Sequence, residues 1–137
     1  MSIVLDASMT IAWLFEDEQT EGAHVALKRV VAEGAIVPSL WRLEFANVLR
    51  NAVRKRRCDE AYVDSSLARL DRLPITIDHE TDEHAWGATR ALSREERLTP
   101  YDAAYLELAL RTKGTLASGD EELMSAALRR GVEVVEL

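Results

Sequence analysis

The sequence predicts one α/β domain built on an open, mainly parallel sheet of four to five strands, flanked by helices on both faces. Two observations carry this. Short apolar runs recur along the chain: Ile3-Val4-Leu5, Ala35-Ile36-Val37, Ile75-Thr76-Ile77, the segment around Leu116-Ala117, and Val132 to Val135. Between them lie longer stretches with apolar residues at helical spacing. Strands separated by helices imply parallel pairing through right-handed crossovers, and hence a sheet covered on both sides. No Pro/Gly/Ser-rich linker, repeat or low-complexity tract divides the 137 residues, which suffice for one domain with a single core.

Ile3-Val4-Leu5 is too short for a helix and ends at Asp6; Ser8 is placed to cap a short helix running through Phe15. A second helix starts near Thr20, with Ala23, Leu27, Val30 and Val31 as its apolar positions, and Gly34 stops it. Pro38 closes the second strand and Ser39 is expected to start the third helix, where Leu40, Leu43, Val48 and Val53 lead up to a basic cluster. Asp59 caps a fourth helix carrying Tyr62, Val63, Leu67 and Leu70, and Pro74 precedes the third strand. A long helix covers roughly 80–97, and another covers 100–113 before Gly114. Asp120 starts the last helix, which ends near Arg130-Gly131 ahead of the closing strand.

A hydrophobic content of 47% with modest Gly and Pro describes a globular chain. No apolar run approaches the roughly 20 residues that span a bilayer. The opening Met1-Ser2-Ile3-Val4-Leu5-Asp6 lacks the charged start and small-residue cleavage site of a secretory signal. The single cysteine, Cys58, has no internal partner and suits a reducing interior. The expectation is a soluble, cytoplasmic protein with no membrane partner. A net charge of −7 opposes a nucleic-acid partner, because phosphate backbones repel an acidic surface. Its distribution softens the objection: Arg42, Arg50, Arg54, Lys55, Arg56 and Arg57 stand against Glu44 alone in one stretch. Such a patch is compatible with RNA, and equally with cations favoured at a helix C-terminus.

Ligands of open α/β sheets gather beyond the carboxyl ends of the strands. Asp6 and Asp120 occupy or closely follow such ends, while Glu44 and Asp102 interrupt apolar helical stretches. Each has a structural alternative. Asp6 suits a helix cap, and Asp102 fits N3 of a capping box with Thr99 as N-cap and Pro100 at N1. Asp120 suits a turn inside a box formed by Ser118 and Glu121, and Glu44 suits a solvated face. Four converging carboxylates would instead repel one another unless a cation or raised pKa values relieve them. Hard divalent ions with oxygen ligands do so, and Mg²⁺ keeps several waters beside a few carboxylates. His24, His79 and His84 have no zinc-like spacing and are read as structural.

Four motifs in register carry a resemblance: Val4-Leu5-Asp6-Ala7-Ser8, the helix with Glu44 and Asn47, Thr99-Pro100-Tyr101-Asp102-Ala103-Ala104-Tyr105-Leu106, and Leu116-Ala117-Ser118-Gly119-Asp120-Glu121-Glu122-Leu123. In order and spacing they resemble VapC-type PIN-domain toxins, and the resemblance spans residues 1–137 as one PIN domain. Many relatives have Thr where Ser118 stands, a departure that keeps the hydroxyl. The resemblance implies the sheet order and a magnesium-dependent endoribonuclease, with Mn²⁺ as a substitute ion. It also implies a VapB-like antitoxin and a homodimer, for which Tyr62, Leu67 and Leu70 are candidate contacts, with core packing the favoured fate of most of them. Asp6 and Asp102 would bind the ion, Asp120 and Glu44 would complete its shell or act through water, and Ser8, Asn47 and Ser118 would orient these carboxylates. Products would be a 5′-phosphate and a 3′-hydroxyl. The antitoxin tail would bring Arg or Lys to the carboxylates and pack on exposed aromatics, for which Trp13, Phe15 and Trp41 are candidates, with core packing the favoured reading of each.

Rival readings fit less well. A haloacid-dehalogenase phosphotransferase wants a second acid two residues after the first, where Ser8 stands. A receiver domain wants adjacent early acids and a late strand-end Lys, whereas Lys113 ends a helix. An RNA-processing PIN nuclease without an antitoxin and a non-catalytic binding module remain the alternatives.

Overall fold

A computed structural model of the chain describes residues 2–137. Strand β1 (Ile3–Leu5) leads into helix α1 (Ala7–Leu14), a 3₁₀ turn at Glu16–Glu18, helix α2 (Glu21–Glu33) and strand β2 (Ala35–Val37). Helices α3 (Trp41–Arg54) and α4 (Glu60–Leu70) precede strand β3 (Ile75–Ile77). Next come α5 (Thr81–His84), a π-helical segment Ala85–Thr89, α6 (Arg90–Glu96) and α7 (Pro100–Thr112). Strand β4 (Thr115–Ser118), helix α8 (Glu121–Arg129) and strand β5 (Val134–Glu136) complete the order.

The five strands are all parallel, in the order β3-β2-β1-β4-β5. Val4 pairs with Ile36 on one side and Leu116 on the other, so β1 is central, and Ile3, Val4 and Leu5 are fully buried. A strand buried on both faces reads as a continuous apolar run, which is why no alternation is visible there. From β1 the sheet grows through β2 to β3, then the chain crosses to β4 and grows the other way. Right-handed crossovers therefore put α1 to α4 on one face and α5 to α8 on the other. The same reversal opens a crevice between the carboxyl ends of β1 and β4, the place where such sheets bind ligands. Asp6 follows β1 there and Asp120 follows β4.

The main core joins both faces of the sheet. A second cluster of Ile11, Leu14, Phe15, Phe45, Leu49, Ala52, Val63 and Leu70 fills the space under α3 and α4. Trp41 stacks on Phe45, with ring centroids 5.7 Å apart. Phe15 and Trp41 are buried, and Trp13 packs on both clusters while its indole N–H donates to the Ala23 carbonyl at 2.9 Å. These three aromatics thus belong to the chain's own core, the reading favoured for each of them over a partner contact. Leu70 is buried and the Tyr62 hydroxyl donates to the Leu14 carbonyl, which leaves Leu67 as the exposed member of the expected dimer contacts.

Several boundaries differ from the sequence reading, each for a local reason. The N-cap of α1 is Asp6, and Ser8 lies inside the helix with its hydroxyl turned back to the Asp6 carboxylate. Helix α3 begins after Leu40, and the Ser39 N–H ahead of it donates to the Thr81 hydroxyl at 3.0 Å. Helix α2 buries Ala23, Ala26 and Val30, while Val31 is exposed. Its end at Gly34 is as expected: φ is +80° and the N–H reaches the Val30 carbonyl at 2.8 Å. The helical run over 80–97 holds a π segment and stops at Arg97 in the left-handed region (φ 57°). The last strand starts at Val134, two residues later than expected.

Candidate active site

Four segments bring carboxylates to the crevice. The backbone of Asp6 is the N-cap of α1, but its buried side chain makes no cap bond. Its Oδ2 instead accepts from Ser8 Oγ at 2.8 Å and from Ser118 Oγ at 2.7 Å. Each hydroxyl in turn accepts a backbone N–H: Gly119 donates to Ser8 and Asp120 donates to Ser118, both at 2.9 Å. A hydroxyl has one proton to give. With the backbone filling the acceptor side, both protons go to Asp6, which fixes the carboxylate across the gap between β1 and β4.

Asp120 is the N-cap of α8, its Oδ1 accepting the Leu123 N–H at 2.9 Å. The alternative of a capping box from Ser118 and Glu121 is therefore not what forms: Asp120 caps the helix and the Ser118 hydroxyl donates to Asp6. Asp102 sits at N3 of α7, its N–H donating to Thr99 Oγ1 at 3.2 Å behind Pro100, as the capping pattern predicts. Glu44, in the first turn of α3, is half-buried and accepts a 2.5 Å hydrogen bond from the Tyr105 hydroxyl. Tyr105 is completely buried on α7, three residues beyond Asp102. Sequence reasoning quoted Tyr105 within a motif but gave it no role. Asn47 is exposed, and no side-chain hydrogen bond ties it to the carboxylates among the described residues.

Electrostatics join the four acids into one group. Burial raises the Asp6 pKa, with the Asp120 charge adding to it against the two serine hydroxyls. Burial raises Glu44, the Tyr105 hydroxyl opposes, and the charges of Asp6 and Asp102 add to the rise. Asp102 is pushed up to about 6 by burial, then by Asp120 and Asp6, with a smaller push from Glu122. Glu122 is thus a fifth acid at the rim that sequence reasoning did not single out. Repulsion among clustered carboxylates is relieved when a cation binds or when a carboxyl takes a proton.

The donor set is all oxygen and lacks His and Cys, which fits a hard ion such as Mg²⁺ or Mn²⁺ and does not fit zinc. Asp6, Glu44, Asp102 and Asp120 are the residues that would hold it. No three of these carboxylates have oxygens within 4.8 Å of one another among the described residues; Glu80, Glu83 and His84 form the group that does. That second group lies after β3, with Glu80 also 3.7 Å from the Arg111 guanidinium, so part of its charge is already answered. His84, read from sequence as purely structural, belongs to it.

The shifted carboxyls set a pH dependence. Asp102 has a higher pKa in the folded chain than its ordinary 3.8, so the native state holds an extra proton between about 4 and 6. Stability of the metal-free chain is expected to rise as pH falls from 7 toward 5. That window lies above the range where Asp78 and Glu96, both held below their ordinary values, begin to take protons. Asp102→Asn makes the slope shallower. Thermal melts in chelator at pH 7, 6 and 5 measure it, and a melting temperature that falls over this interval contradicts the raised pKa.

No curated protein matches the sequence. Solved structures do match the fold. PAE2754 from Pyrobaculum aerophilum is 22% identical with a TM-score of 0.70, over 98% of this chain and 90% of that one. VapBC2 from Rickettsia felis, bound to a DNA fragment from its promoter, is 16% identical with a TM-score of 0.64, over 100% and 99%. VapC20 from Mycobacterium tuberculosis, described as a sarcin-ricin loop cleaving toxin, is 18% identical with a TM-score of 0.60, over 91% and 95%. Residues 3–128 match the family described as PIN domain, and the chain belongs to that family.

Proposed function

We propose that this PIN domain is a magnesium-dependent endoribonuclease, able to use manganese, and the toxin of a toxin–antitoxin pair. The observation that carries the reading is the electrostatic group of Asp6, Glu44, Asp102 and Asp120 at the sheet's switch point. VapC20, which shares the fold, is described as a toxin that cleaves the sarcin-ricin loop, and the sequence motifs resemble those of VapC toxins. A bound divalent ion supplies electrophilic charge to the phosphodiester and lowers the pKa of water. The chain's own residues do the rest. Ser8 and Ser118 hold Asp6, and Tyr105 holds Glu44, so the acids cannot swing away from one another. Glu44, raised by burial and by its acidic neighbours, takes the proton of the attacking water. The water oxygen bonds to phosphorus, the bond from phosphorus to O3′ breaks, and O3′ leaves as the hydroxyl beside a 5′-phosphate.

The antitoxin is proposed as a small VapB-like protein whose tail presents Arg or Lys to the carboxylates. A homodimer is proposed on the family resemblance, with exposed Leu67 as a contact. No helix among the described residues is long and apolar enough to cross a membrane. Expression alone is expected to arrest bacterial growth, and co-expression of the neighbouring small gene to restore it while the two proteins co-purify. Arrested growth with RNA cleavage but no rescuing neighbour favours the RNA-processing nuclease. Unaffected growth and intact RNA defeat the toxin reading.

A further inference from the structure

The basic stretch visible in the sequence divides in the fold. Arg57 serves the chain itself: it pairs with Glu18 at 2.8 Å and Asp17 at 3.2 Å and lies over the Phe15 ring. Arg42, at the start of α3, stands 4.0 Å from Asp71. The side chains of Arg50, Arg54, Lys55 and Arg56 are exposed and have no ion-pair or hydrogen-bond partner among the described residues. The end of α3 does not use them. The Lys55 N–H reaches the Asn51 and Val53 carbonyls, the Arg56 N–H the Val53 carbonyl at 3.0 Å, and the Arg57 N–H the Ala52 carbonyl at 2.9 Å. A helix dipole favours cations within the last turn, and Arg50 lies before it. Arg50 and Arg54 are four residues apart on one helix, where like charges repel. Four free cations within residues 50–56 of a chain carrying −7 thus suit an anion from outside better than they suit the fold.

Their placement on α3 points to the kind of anion. Glu44 lies in the first turn of α3 and Arg54 is its last residue. At about 1.5 Å per residue, Arg50 stands about 9 Å and Arg54 about 15 Å beyond Glu44 along the axis. Leu43, Asn47, Arg50 and Arg54 follow one another at helical spacing and are all exposed, so one open row runs from the crevice end of α3 to the cations. Glu44 is the sole acid in residues 41–58, so no other carboxylate of this segment stands between the crevice and the cluster. An acidic protein segment is the weaker fit, because Asp59 and Glu60 open α4 directly after the cluster and Glu60 shares a groove with Arg50. A nucleic-acid strand carries a charge at every nucleotide, and a strand seated at the carboxylates has further phosphates to lay along this row. We infer that Arg50, Arg54, Lys55 and Arg56 form a second contact for RNA, holding backbone phosphates about 9–15 Å from Glu44 along α3 without reading sequence. This rests on the nuclease reading for the path the RNA takes, and adds the surface that anchors it away from the metal site.

The test is equilibrium binding, in chelator, of a fluorescein-labelled, mixed-sequence single-stranded RNA of about 20 nucleotides, followed by anisotropy as salt rises from about 50 to 200 mM. Replacing all four residues, as Arg50→Gln, Arg54→Gln, Lys55→Gln and Arg56→Gln together, lowers the slope of log affinity against log salt by about 2–3, at about 0.7 per phosphate contact. Changing the three arginines to Lys restores the slope, since a point charge serves a phosphate. A control with the same loss of charge, Lys28→Gln, Arg90→Gln, Arg94→Gln and Lys113→Gln, removes exposed cations of other elements and moves the slope by less than about 1. With Mg²⁺ and a cleaving wild type, the cluster variant raises KM and leaves kcat within about twofold. A cluster variant with the wild-type slope, a control that falls as far, or a wild type that binds no RNA each overturns the inference. So does a duplex DNA of the same sequence bound more tightly than the RNA through these four residues, which makes the surface a DNA contact. A cluster variant that keeps RNA but sheds a co-purifying protein overturns it too. The nuclease reading fails separately. Cluster-dependent binding by a wild type that cleaves nothing in Mg²⁺ removes that reading and leaves the surface, whereas cleavage and slope both untouched by the four changes do the reverse.

Discussion

Asp102→Asn is expected to abolish magnesium-dependent RNA cleavage while leaving the metal-free fold as stable as wild type or more so. The two effects have one cause. In the metal-free chain Asp102 carries a charge that burial and the neighbouring Asp120 and Asp6 disfavour, pushing its pKa to about 6. Neutralising it relieves that strain. In the loaded site the same change removes a ligand, so the loss should exceed the roughly 10–100-fold typical of an outer partner. Asp6→Asn behaves likewise, with the added loss of a charge acceptor for Ser8 and Ser118. Thermal melts with and without Mg²⁺ separate the two effects: wild type gains stability on adding the ion and the variants do not. Variants that keep both the gain and the activity remove these residues from the site.

The largest loss of stability is expected at Arg111→Met. Its guanidinium donates to Asp78 at 2.7 and 3.1 Å and to Glu107 at 2.8 and 3.0 Å, and both carboxylates are buried. Thr81 adds a hydroxyl to Asp78 at 3.0 Å, so the network ties α7 to the turn after β3. Burial alone raises Asp78, but Arg111 and Thr81 outweigh it and hold the carboxyl below its ordinary value. Removing the cation strands two buried carboxylates, which costs about 3–5 kcal/mol. For a chain of this size that is roughly 10–20 °C in Tm. By contrast Arg57 pairs with Asp17 at 3.2 Å and Glu18 at 2.8 Å on the surface, where an ion pair is worth about 0–1 kcal/mol. If Arg111→Met and Arg57→Met melt alike, the buried network is not what holds this corner.

Asp78 and Asp6 also mark where the sequence stops being readable. Each follows a three-residue strand and has a hydroxyl within three residues, Ser8 for Asp6 and Thr81 for Asp78, so the local sequence does not announce their different partners. One meets two serine hydroxyls and other acids, the other an arginine 33 positions away. Only the strand order decides, and that order came from the family resemblance. The strands themselves were legible because parallel strands buried on both faces are continuous apolar runs. Thr99-Pro100-Tyr101-Asp102 announced its helix start through local capping chemistry, which spans three residues and needs no tertiary information. Glu44 was legible as an acid in an apolar helix, yet its anchor Tyr105 was not, because the contact joins residues 61 positions apart. Asn47 failed for the opposite reason. Three-residue spacing puts it near Glu44 on one helix, but the buried side of α3 is set by Trp41, Phe45 and Leu49, and Asn47 turns to solvent. Ser118 donates to the Asp6 carboxylate, and the alternative in which it forms a capping box with Glu121 gives way because Asp120 caps α8 itself.

The most direct measurement is the chemistry of the RNA ends left by the purified protein. Wild type with Mg²⁺ should cut single-stranded RNA internally to give 5′-phosphate and 3′-hydroxyl ends, and cleavage should stop in chelator and with Asp102→Asn. RNA left intact in Mg²⁺ and Mn²⁺, or cut equally well by Asp102→Asn, would contradict a metal-dependent nuclease centred on Asp6, Glu44, Asp102 and Asp120.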